Sequence, residues 1–420
     1  MIGTAGPEAI TPAPAPETAA EDTLFPVPNL SGDIWSRDVM TGDWGGARRK
    51  LAEGGVQVDF DLQNYFQGLV EGGVEQRWAY GGTSDLRLKF DTGKAGWWPG
   101  GFVEIHAEGY WGDGANARDG ALLPANTDYL LQLAEGNGGY LPHLTITQFI
   151  SEKIAVMLGK LDTSLGDMNS FAHVSGNDKF MNMAFGFNPV TTLATPYSAL
   201  GAGLILLPTD DLILSLSAYD VEGNISETGF DTIFDDGTGY NVEVTLHTSL
   251  FGKPGHQLVG ATYADGDFSV LSDTRLLLPI LPGTPEMQSG TWNIYYNFEQ
   301  YLQHDEARGT GWGLFGRVGF ADEETSPIDL FLSGGIGGRG LLSSRPNDRF
   351  GIGYFYAHLT DELPRLARPF LRDAEQGLEV FYDAALTPWL RVAADAQVIS
   401  PVLEAADTAV VLGVRSKISF

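Results

Sequence analysis

The stretch that decides the fold is Ala409-Val-Val-Leu-Gly-Val-Arg-Ser-Lys-Ile-Ser-Phe420, at the end of the chain. Its apolar side chains recur on the even-numbered positions, and Arg415 and Lys417 fall on the odd-numbered ones. A period of two indicates a β-strand with one apolar and one charged face. Such a strand closes a membrane β-barrel if the apolar face meets lipid, and it forms the edge of a soluble sandwich if that face is buried.

Composition narrows the classes of protein to which the chain can belong. Its 420 residues suit one large barrel better than one ordinary soluble core. The lack of cysteine excludes disulfides, zinc–thiolate sites and thiol nucleophiles. A formal net charge of −29 argues against a nucleic-acid partner. No apolar run is long enough to predict a transmembrane helix, but barrel strands are only half apolar and need no such run.

The chain divides into three predicted parts. Residues 1–32 are rich in Ala, Pro, Thr and Glu and predict a flexible lead-in without a recognisable signal peptide. Residues 33–55 contain a short helical pattern that glycine closes, and we expect this segment on the periplasmic side. Residues 56–420 carry the predicted strands.

Alternating segments fill residues 56–420. Val56-Gln-Val-Asp-Phe-Asp-Leu-Gln63 repeats the pattern of the last strand, as do residues 85–91 and 103–108. Sixteen such segments can be counted, with short turns and long loops alternating between them. An even strand number with short turns at one end is typical of bacterial outer-membrane barrels. The sequence therefore predicts an all-β, transmembrane antiparallel β-barrel of about sixteen strands, with a short N-terminal helix and charged side chains facing the lumen.

A series of short motifs carries a family resemblance between residues 33 and 420. The most specific are Asp43-Trp-Gly-Gly46 and the Thr387-Pro-Trp-Leu390 turn that leads to Gln397. The others are Trp98-Pro-Gly-Gly101, Gly159-Lys-Leu-Asp162, Tyr295-Tyr-Asn-Phe298 and Arg345-Pro-Asn-Asp348. Their order along the chain resembles the carbohydrate-selective porin (OprB) family.

This resemblance implies a channel in the bacterial outer membrane that passes monosaccharides, such as glucose-like sugars, by facilitated diffusion. It implies no cofactor. As partners it implies the sugars, outer-membrane lipid and lipopolysaccharide. It further implies that the barrel-assembly machinery recognises the C-terminal strand ending in Phe420.

A sugar channel needs hydrogen-bonding groups for hydroxyls and flat aromatic surfaces for C–H faces. Side chains on the predicted inward parity supply the first. We predict that the following residues line the pore and contact solute: Asp59, Asp61, Arg87, Lys89, Glu104, His106, Glu108, Lys160, Asp162, Arg317 and Glu379. The alternative is that these charges only solvate the lumen and pair with one another.

Loop 161–200 is the predicted constriction, because a connection of this length is uncommon without a function. We expect it to fold inward, with phenylalanines against the wall and polar groups toward the channel. The residues assigned to it are Phe171, His173, Asp178, Lys179, Phe180 and Asn188. The alternative is an external lid over the barrel mouth.

Other chemistries find less support in the sequence. Gly335-Ile-Gly-Gly-Arg-Gly340 matches a dinucleotide fingerprint but lacks the surrounding βαβ pattern. Nucleophile-elbow and zinc-protease motifs are missing, so no enzyme is predicted. Acidic loops such as Asp322-Glu-Glu324 do not have calcium-loop spacing, and no metal site is expected. The alternatives are a general small-solute porin, a soluble all-β carbohydrate-binding protein, or a barrel enzyme with a surface site.

Overall fold

In a computed structural model of the chain, the described residues are 25, 27–116, 118–129, 136–165, 167–174 and 178–420. They form one antiparallel sheet of sixteen strands that closes by pairing β1 with β16. The predicted fold class is confirmed. The predicted flexible lead-in, residues 1–32, lies largely outside the described residues.

The strands are β1 Val56–Gly73, β2 Trp78–Asp91, β3 Gly101–Gly112, β4 Gly138–Ser151, β5 Ile154–Asp162, β6 Ser198–Thr209, β7 Leu212–Asp220, β8 Thr238–Thr248, β9 Gly255–Ser269, β10 Met287–Asp305, β11 Thr310–Ala321, β12 Ile328–Arg339, β13 Arg349–Leu359, β14 Ala374–Ala385, β15 Leu390–Ser400 and β16 Asp407–Ser419. The α-helices are α1 Ala47–Glu53 and α2 Met183–Gly186. Neither described helix combines the length and apolar character that crossing a membrane would require.

Alternation along the strands places apolar side chains outside and polar ones inside. On β16, Leu412 and Val414 are 38% and 47% exposed, whereas Arg415 is 2% exposed. A sandwich would bury the apolar parity between two sheets. The closed sheet does the opposite, so its outer wall is suited to lipid.

The apolar core lies inside the barrel, between one side of the wall and the long loop 163–197. Phe180 and Phe185 of this loop pack with Phe315, Phe355 and Phe381 of the wall. The ring centroids of Phe180 and Phe381 are 4.8 Å apart, for example. The long loop is therefore folded inward, as predicted.

The first connection differs from the prediction. The alternating segments Val56–Gln63 and 85–91 are only parts of the first two strands, because β1 continues to Gly73 and β2 begins at Trp78, so that only residues 74–77 link them. Several glycines, including Gly81 and Gly82, interrupt the alternation of side chains here. Glycine is needed at Gly81, because a Cβ atom there would lie 2.0 Å from the Tyr129 hydroxyl.

The N-terminal segment closes the seam between the first and last strands at the end where the turns are short. Arg48 of α1 donates hydrogen bonds to the carbonyls of Phe420 (2.8 Å) and Val58 (2.6 Å). The Met40 N–H donates to the Ser419 carbonyl at 2.8 Å. These bonds tie the N-terminal segment to main-chain carbonyls at the ends of β1 and β16.

Candidate functional site: the narrowed lumen

Backbone groups hold the long loop 163–197 to the wall. On β14, the Glu379 carboxylate accepts hydrogen bonds from the N–H groups of Met181 (2.6 Å) and Asn182 (2.9 Å). On β11, Arg317 donates to the carbonyls of Phe185, at 3.1 Å, and Ala172. Because these partners are main-chain atoms, the bonds fix the course of the loop.

A buried ion pair strengthens this attachment. Asp167 of the loop accepts hydrogen bonds from Arg317 Nη2 (3.0 Å) and Nε (3.2 Å), and His256 Nε2 lies 3.4 Å from its other oxygen. The Arg317 side chain is fully buried and that of Asp167 is 8% exposed. Burial by itself would raise the pKa of Asp167, but Arg317 and His256 hold that pKa below its usual value.

A second loop, residues 113–137, also enters the lumen. Gln397 of β15 donates from Nε2 to the Ala125 carbonyl of this loop at 2.8 Å. Gln397 also accepts, at Oε1, a hydrogen bond of 3.1 Å from Asn182 of the long loop. One side chain therefore joins both inward loops to the wall, a role that the sequence did not predict for loop 113–137.

Opposite this attachment, two adjoining cavities lie between the loops and the wall. Their volumes are about 250 and 280 Å³. The first is bounded by β2, β3 and the end of β5, and the second by β5, β6, β7, β8 and β10. Both are lined by Asp162, Thr163, Ser164, Phe187, Thr191 and Thr195.

The first cavity brings acidic and basic groups together. His106 Nε2 lies 2.7 Å from Asp85 Oδ1 and 3.4 Å from Glu108 Oε1. Arg87 Nη2 lies 3.7 Å from Asp85. Tyr197, at the end of the long loop, donates its hydroxyl hydrogen to Glu108 at 3.0 Å. Hydrogen-bond donors and acceptors therefore lie side by side, as recognition of hydroxyl groups requires.

The second cavity combines aromatic and polar surfaces. The Tyr295 hydroxyl donates to Glu243 Oε1 at 2.6 Å and accepts from Asn241 Nδ2 at 2.9 Å. Tyr219 and Phe187 add further aromatic surface to the lining. Rings beside amide and carboxylate groups offer a sugar both kinds of contact that it needs.

The predicted pore residues divide into groups according to the structure. Those that line the cavities are Arg87, His106, Glu108 and Asp162. Those on the inner wall nearer the short turns are Asp59, Asp61, Lys89 and Glu104. In this second group Lys89 pairs with Asp59 at 3.1 Å, and Lys417 pairs with Asp61 at 3.2 Å.

For Lys160 the prediction is wrong. The sheet pairs Lys160 with Leu144, which is 42% exposed on the outer face of the barrel. The Lys160 ammonium group donates to the carbonyls of Ile225 and Glu227, in the connection 221–237. Lys160 therefore occupies the outward parity, where this connection covers its charge.

Arg317 and Glu379 lie on the inner wall, but the long loop covers them. Among the loop residues, Phe171 and Phe180 pack against wall glycines. Asn188 donates to the Val318 carbonyl at 3.2 Å, and Asp178 pairs with Lys179 and Arg349. Burial lowers the pKa of His173 to about 4. These side chains anchor the loop more than they face the cavities.

Several cavity residues were missed by the sequence-based prediction. Asp85 has the same inward parity as Arg87, so the signal for it was present. Glu243 and Tyr295 lie on inward positions of β8 and β10 and could have been found in the same way. Thr191, Thr195 and Tyr197 lie in an irregular loop, where no periodic signal exists.

Together, a closed sixteen-stranded barrel, an apolar exterior and a charged lumen narrowed by inward loops define a bacterial outer-membrane porin. The sequence model of the family described as "Carbohydrate-selective porin, OprB family" matches residues 75–420, and the chain belongs to this family. Family and fold indicate a channel rather than an enzyme.

Relatives share most of the length of the chain at low identity. Porin B of Pseudomonas aeruginosa is 22% identical over 429 residues, which cover 91% of each chain. The high-pH structure of Pseudomonas putida OprB superposes with a TM-score of 0.80 and 20% identity, and covers 93% of this chain and 100% of that one. The low-pH structure of the same protein superposes with a TM-score of 0.59 and 16% identity, and covers 92% of this chain and 99% of that one. The structural likeness shows a common fold.

Proposed function

We propose that this porin passes monosaccharides of the glucose type by facilitated diffusion through the two adjoining cavities. The observation that carries the proposal is their mixed lining. Arg87, Glu108 and Glu243 provide charged partners for hydroxyl groups, and Tyr295 and Phe187 provide aromatic faces. Several weak contacts in series favour both entry and release of a solute.

The family description and the inward loops support a selective pathway over a simple water-filled hole. Loop 163–197 is tied down by Arg317 and Glu379, so its cavity-facing residues keep fixed positions opposite the wall. A fixed, lined passage discriminates between solutes by contact as well as by size. The alternative function, a general small-solute porin, predicts discrimination by size alone.

The test is liposome swelling with a series of neutral sugars and non-sugar polyols of matched size. We expect Arg87→Ala to change the relative rates among sugars, because the variant removes the cationic donor of the first cavity. Arg308→Ala is the matched control, since that arginine is 71% exposed in the β10–β11 turn. Relative rates that follow size alone, in wild type and Arg87→Ala alike, would favour the general porin.

We further propose that the end with short turns, including α1, faces the periplasm, as in other barrels with this connection pattern. The exposed apolar wall would then meet outer-membrane lipid and, at the opposite end, lipopolysaccharide. The C-terminal strand ending in Phe420 is the proposed recognition element for the barrel-assembly machinery. Truncation of Phe420 should slow assembly measured by heat-modifiable mobility.

A further inference from the structure

Three side chains of the first cavity converge on one point. His106 Nε2, an oxygen of Asp85 and an oxygen of Glu108 all lie within 4.8 Å of one another. Asp85 of β2 is the sheet partner of Glu108 of β3, and His106 precedes Glu108 by two residues on the same face. The register therefore brings the three groups together on rigid strands.

The distances suit a small divalent ion. Bonds of about 2.0–2.2 Å to a tetrahedral Zn²⁺ place its ligand atoms about 3.3–3.6 Å apart. His106 Nε2 is 3.4 Å from Glu108 Oε1 and 2.7 Å from Asp85 Oδ1. Outward movement of the Asp85 carboxylate by less than about 1 Å would bring its distance from Nε2 into the same range.

A second buried histidine shows that such convergence is not a general feature of this lumen. His256 also lies between two carboxylates, but it contacts Asp167 through Nε2 (3.4 Å) and Glu299 through Nδ1 (3.3 Å). These carboxylates lie on opposite edges of the ring and cannot share one ion with it. His106 instead directs a single nitrogen at both of its carboxylates.

Supporting contacts hold the acidic ligand in place. The Tyr197 hydroxyl donates to Glu108 Oε1 at 3.0 Å, and the Tyr110 hydroxyl donates to Oε2. The side chains of His106, Asp85 and Glu108 are 4%, 9% and 11% exposed. Partners of this kind orient metal ligands and raise metal affinity, and the cavity leaves room for a water molecule as a further ligand.

We propose that Asp85, His106 and Glu108 bind a divalent transition-metal ion of the zinc type in the lumen, and that the bound ion obstructs the sugar path. One imidazole and two carboxylates favour Zn²⁺ over Ca²⁺ and Mg²⁺, which prefer oxygen ligands throughout. Obstruction rests on the proposed sugar function, whereas ion binding does not.

Replacement of Arg87 provides a control in which metal affinity should increase. Its guanidinium group lies 3.7 Å from Asp85, where its positive charge opposes a cation. Arg87→Gln should therefore bind Zn²⁺ more tightly than wild type. A structural role for the acidic cluster alone would not predict a gain of metal affinity on removal of its basic partner.

The first experiment is calorimetric titration of the purified full chain in detergent with ZnCl₂ and, separately, CaCl₂. We expect zinc to bind, with affinity at least about 100-fold weaker in His106→Gln and Glu108→Gln, and about 10-fold weaker in Tyr197→Phe. His247→Gln is the control, because that histidine is exposed near the β8–β9 turn. Heat-modifiable mobility reports folding, and Glu108→Gln serves if His106→Gln does not fold.

The second experiment measures single-channel conductance and sugar swelling with ZnCl₂ and then with EDTA. Zinc should reduce both in wild type, EDTA should restore them, and Glu108→Gln should be insensitive. Zinc binding that is absent in wild type, or equal in wild type, His106→Gln and Glu108→Gln, would overturn the metal site. Sugar flux of wild type in EDTA tests the proposed function separately, so the two failures are distinguishable.

Discussion

The attachment of the long loop 163–197 can be tested by breaking the ion pair beneath it. Arg317→Met keeps much of the side-chain volume but removes the charge and all five N–H donors. Asp167 is then left with His256 at 3.4 Å, and the carbonyls of Phe185 and Ala172 lose this donor. The wall itself is unchanged, because Arg317 points into the lumen and the β11 ladder needs only its backbone.

The expected magnitude follows from burial of both partners. Removal of one member of a buried ion pair costs about 3–5 kcal/mol, because the other charge stays buried without a partner. The docked position of the loop should therefore lose at least about 100-fold in its equilibrium against an undocked one. Glu379 and the phenylalanine cluster still hold the loop, so the variant should show transient openings and keep an assembled barrel.

The assay is single-channel recording in planar bilayers. Wild type should show one stable level, and Arg317→Met should make frequent transitions to a higher conductance with weaker discrimination among sugars. The double variant Arg317→Met/Asp167→Asn removes both charges and should recover most of the stable level, because no buried charge is then orphaned. Asp167→Asn alone should behave like Arg317→Met.

The pH dependence of this defect has a definite sign. The pKa of Asp167 is lowered in the folded protein, so its stabilising effect is present above the unfolded pKa of about 3.9 and is lost as pH falls through the folded pKa. In Arg317→Met the carboxyl group can protonate at a higher pH. The difference between wild type and variant should therefore be large at pH 7 and smaller near pH 4. Identical traces for wild type and Arg317→Met at pH 7 would refute the reasoning.

Two further predictions concern Gly353, an inward glycine of β13, and Asp348 in the turn between β12 and β13. A Cβ atom on Gly353 would lie 2.6 Å from a ring carbon of the fully buried Phe185, so Gly353→Ala should cost about 1–3 kcal/mol and increase the same conductance transitions. Gly334→Ala is its control in single-channel recording, since the nearest atom there is a carbonyl at 3.2 Å on the outward parity. Asp348 accepts hydrogen bonds from Arg345 at 2.7 and 3.0 Å, so Asp348→Asn should lower the free energy of unfolding by about 1–3 kcal/mol at pH 7, seen as a lower denaturant midpoint, while sugar swelling stays unchanged. Burial opposes ionisation of Asp348, but Arg345 and Tyr382 keep its pKa low, so the midpoint difference should shrink as pH falls toward this pKa, and an undiminished difference would contradict this account.

The strands were predictable because a barrel wall imposes period two along most of its length. The prediction failed where a second requirement overrides that period. At Gly81 the wall must admit the Tyr129 side chain of an inward loop, so the alternation of side chains is interrupted and the first residues of β2 carry no strand signal. At Lys160 a connection folds over the outer surface, so a charged residue is tolerated on the lipid-facing parity.

The site was less predictable than the wall. Alternation says that Arg87 and Arg317 both point inward, but it does not say which of them a loop will cover. In the structure Arg87 lines a cavity and Arg317 is sealed beneath the loop. That difference depends on where the long loop docks. Docking is determined by contacts between residues far apart in the sequence, which the two-residue alternation of a strand does not predict.

The side of the wall to which the long loop docks is nevertheless indicated by a pattern of glycines in the sequence. Each of three inward glycines, Gly337 on β12 and Gly351 and Gly353 on β13, lies within 2.6 Å, measured from an ideal Cβ position, of a different loop phenylalanine. Any side chain at these positions would displace the loop, because the phenylalanines are themselves enclosed. The motif Gly335-Ile-Gly-Gly-Arg-Gly340 lacks the context of a nucleotide fingerprint. Its Gly337 instead belongs to a wall surface without side chains, against which the aromatic rings of the loop pack. Inward glycines clustered on adjacent strands, combined with a phenylalanine-rich loop, indicate the side of the barrel wall against which the loop packs.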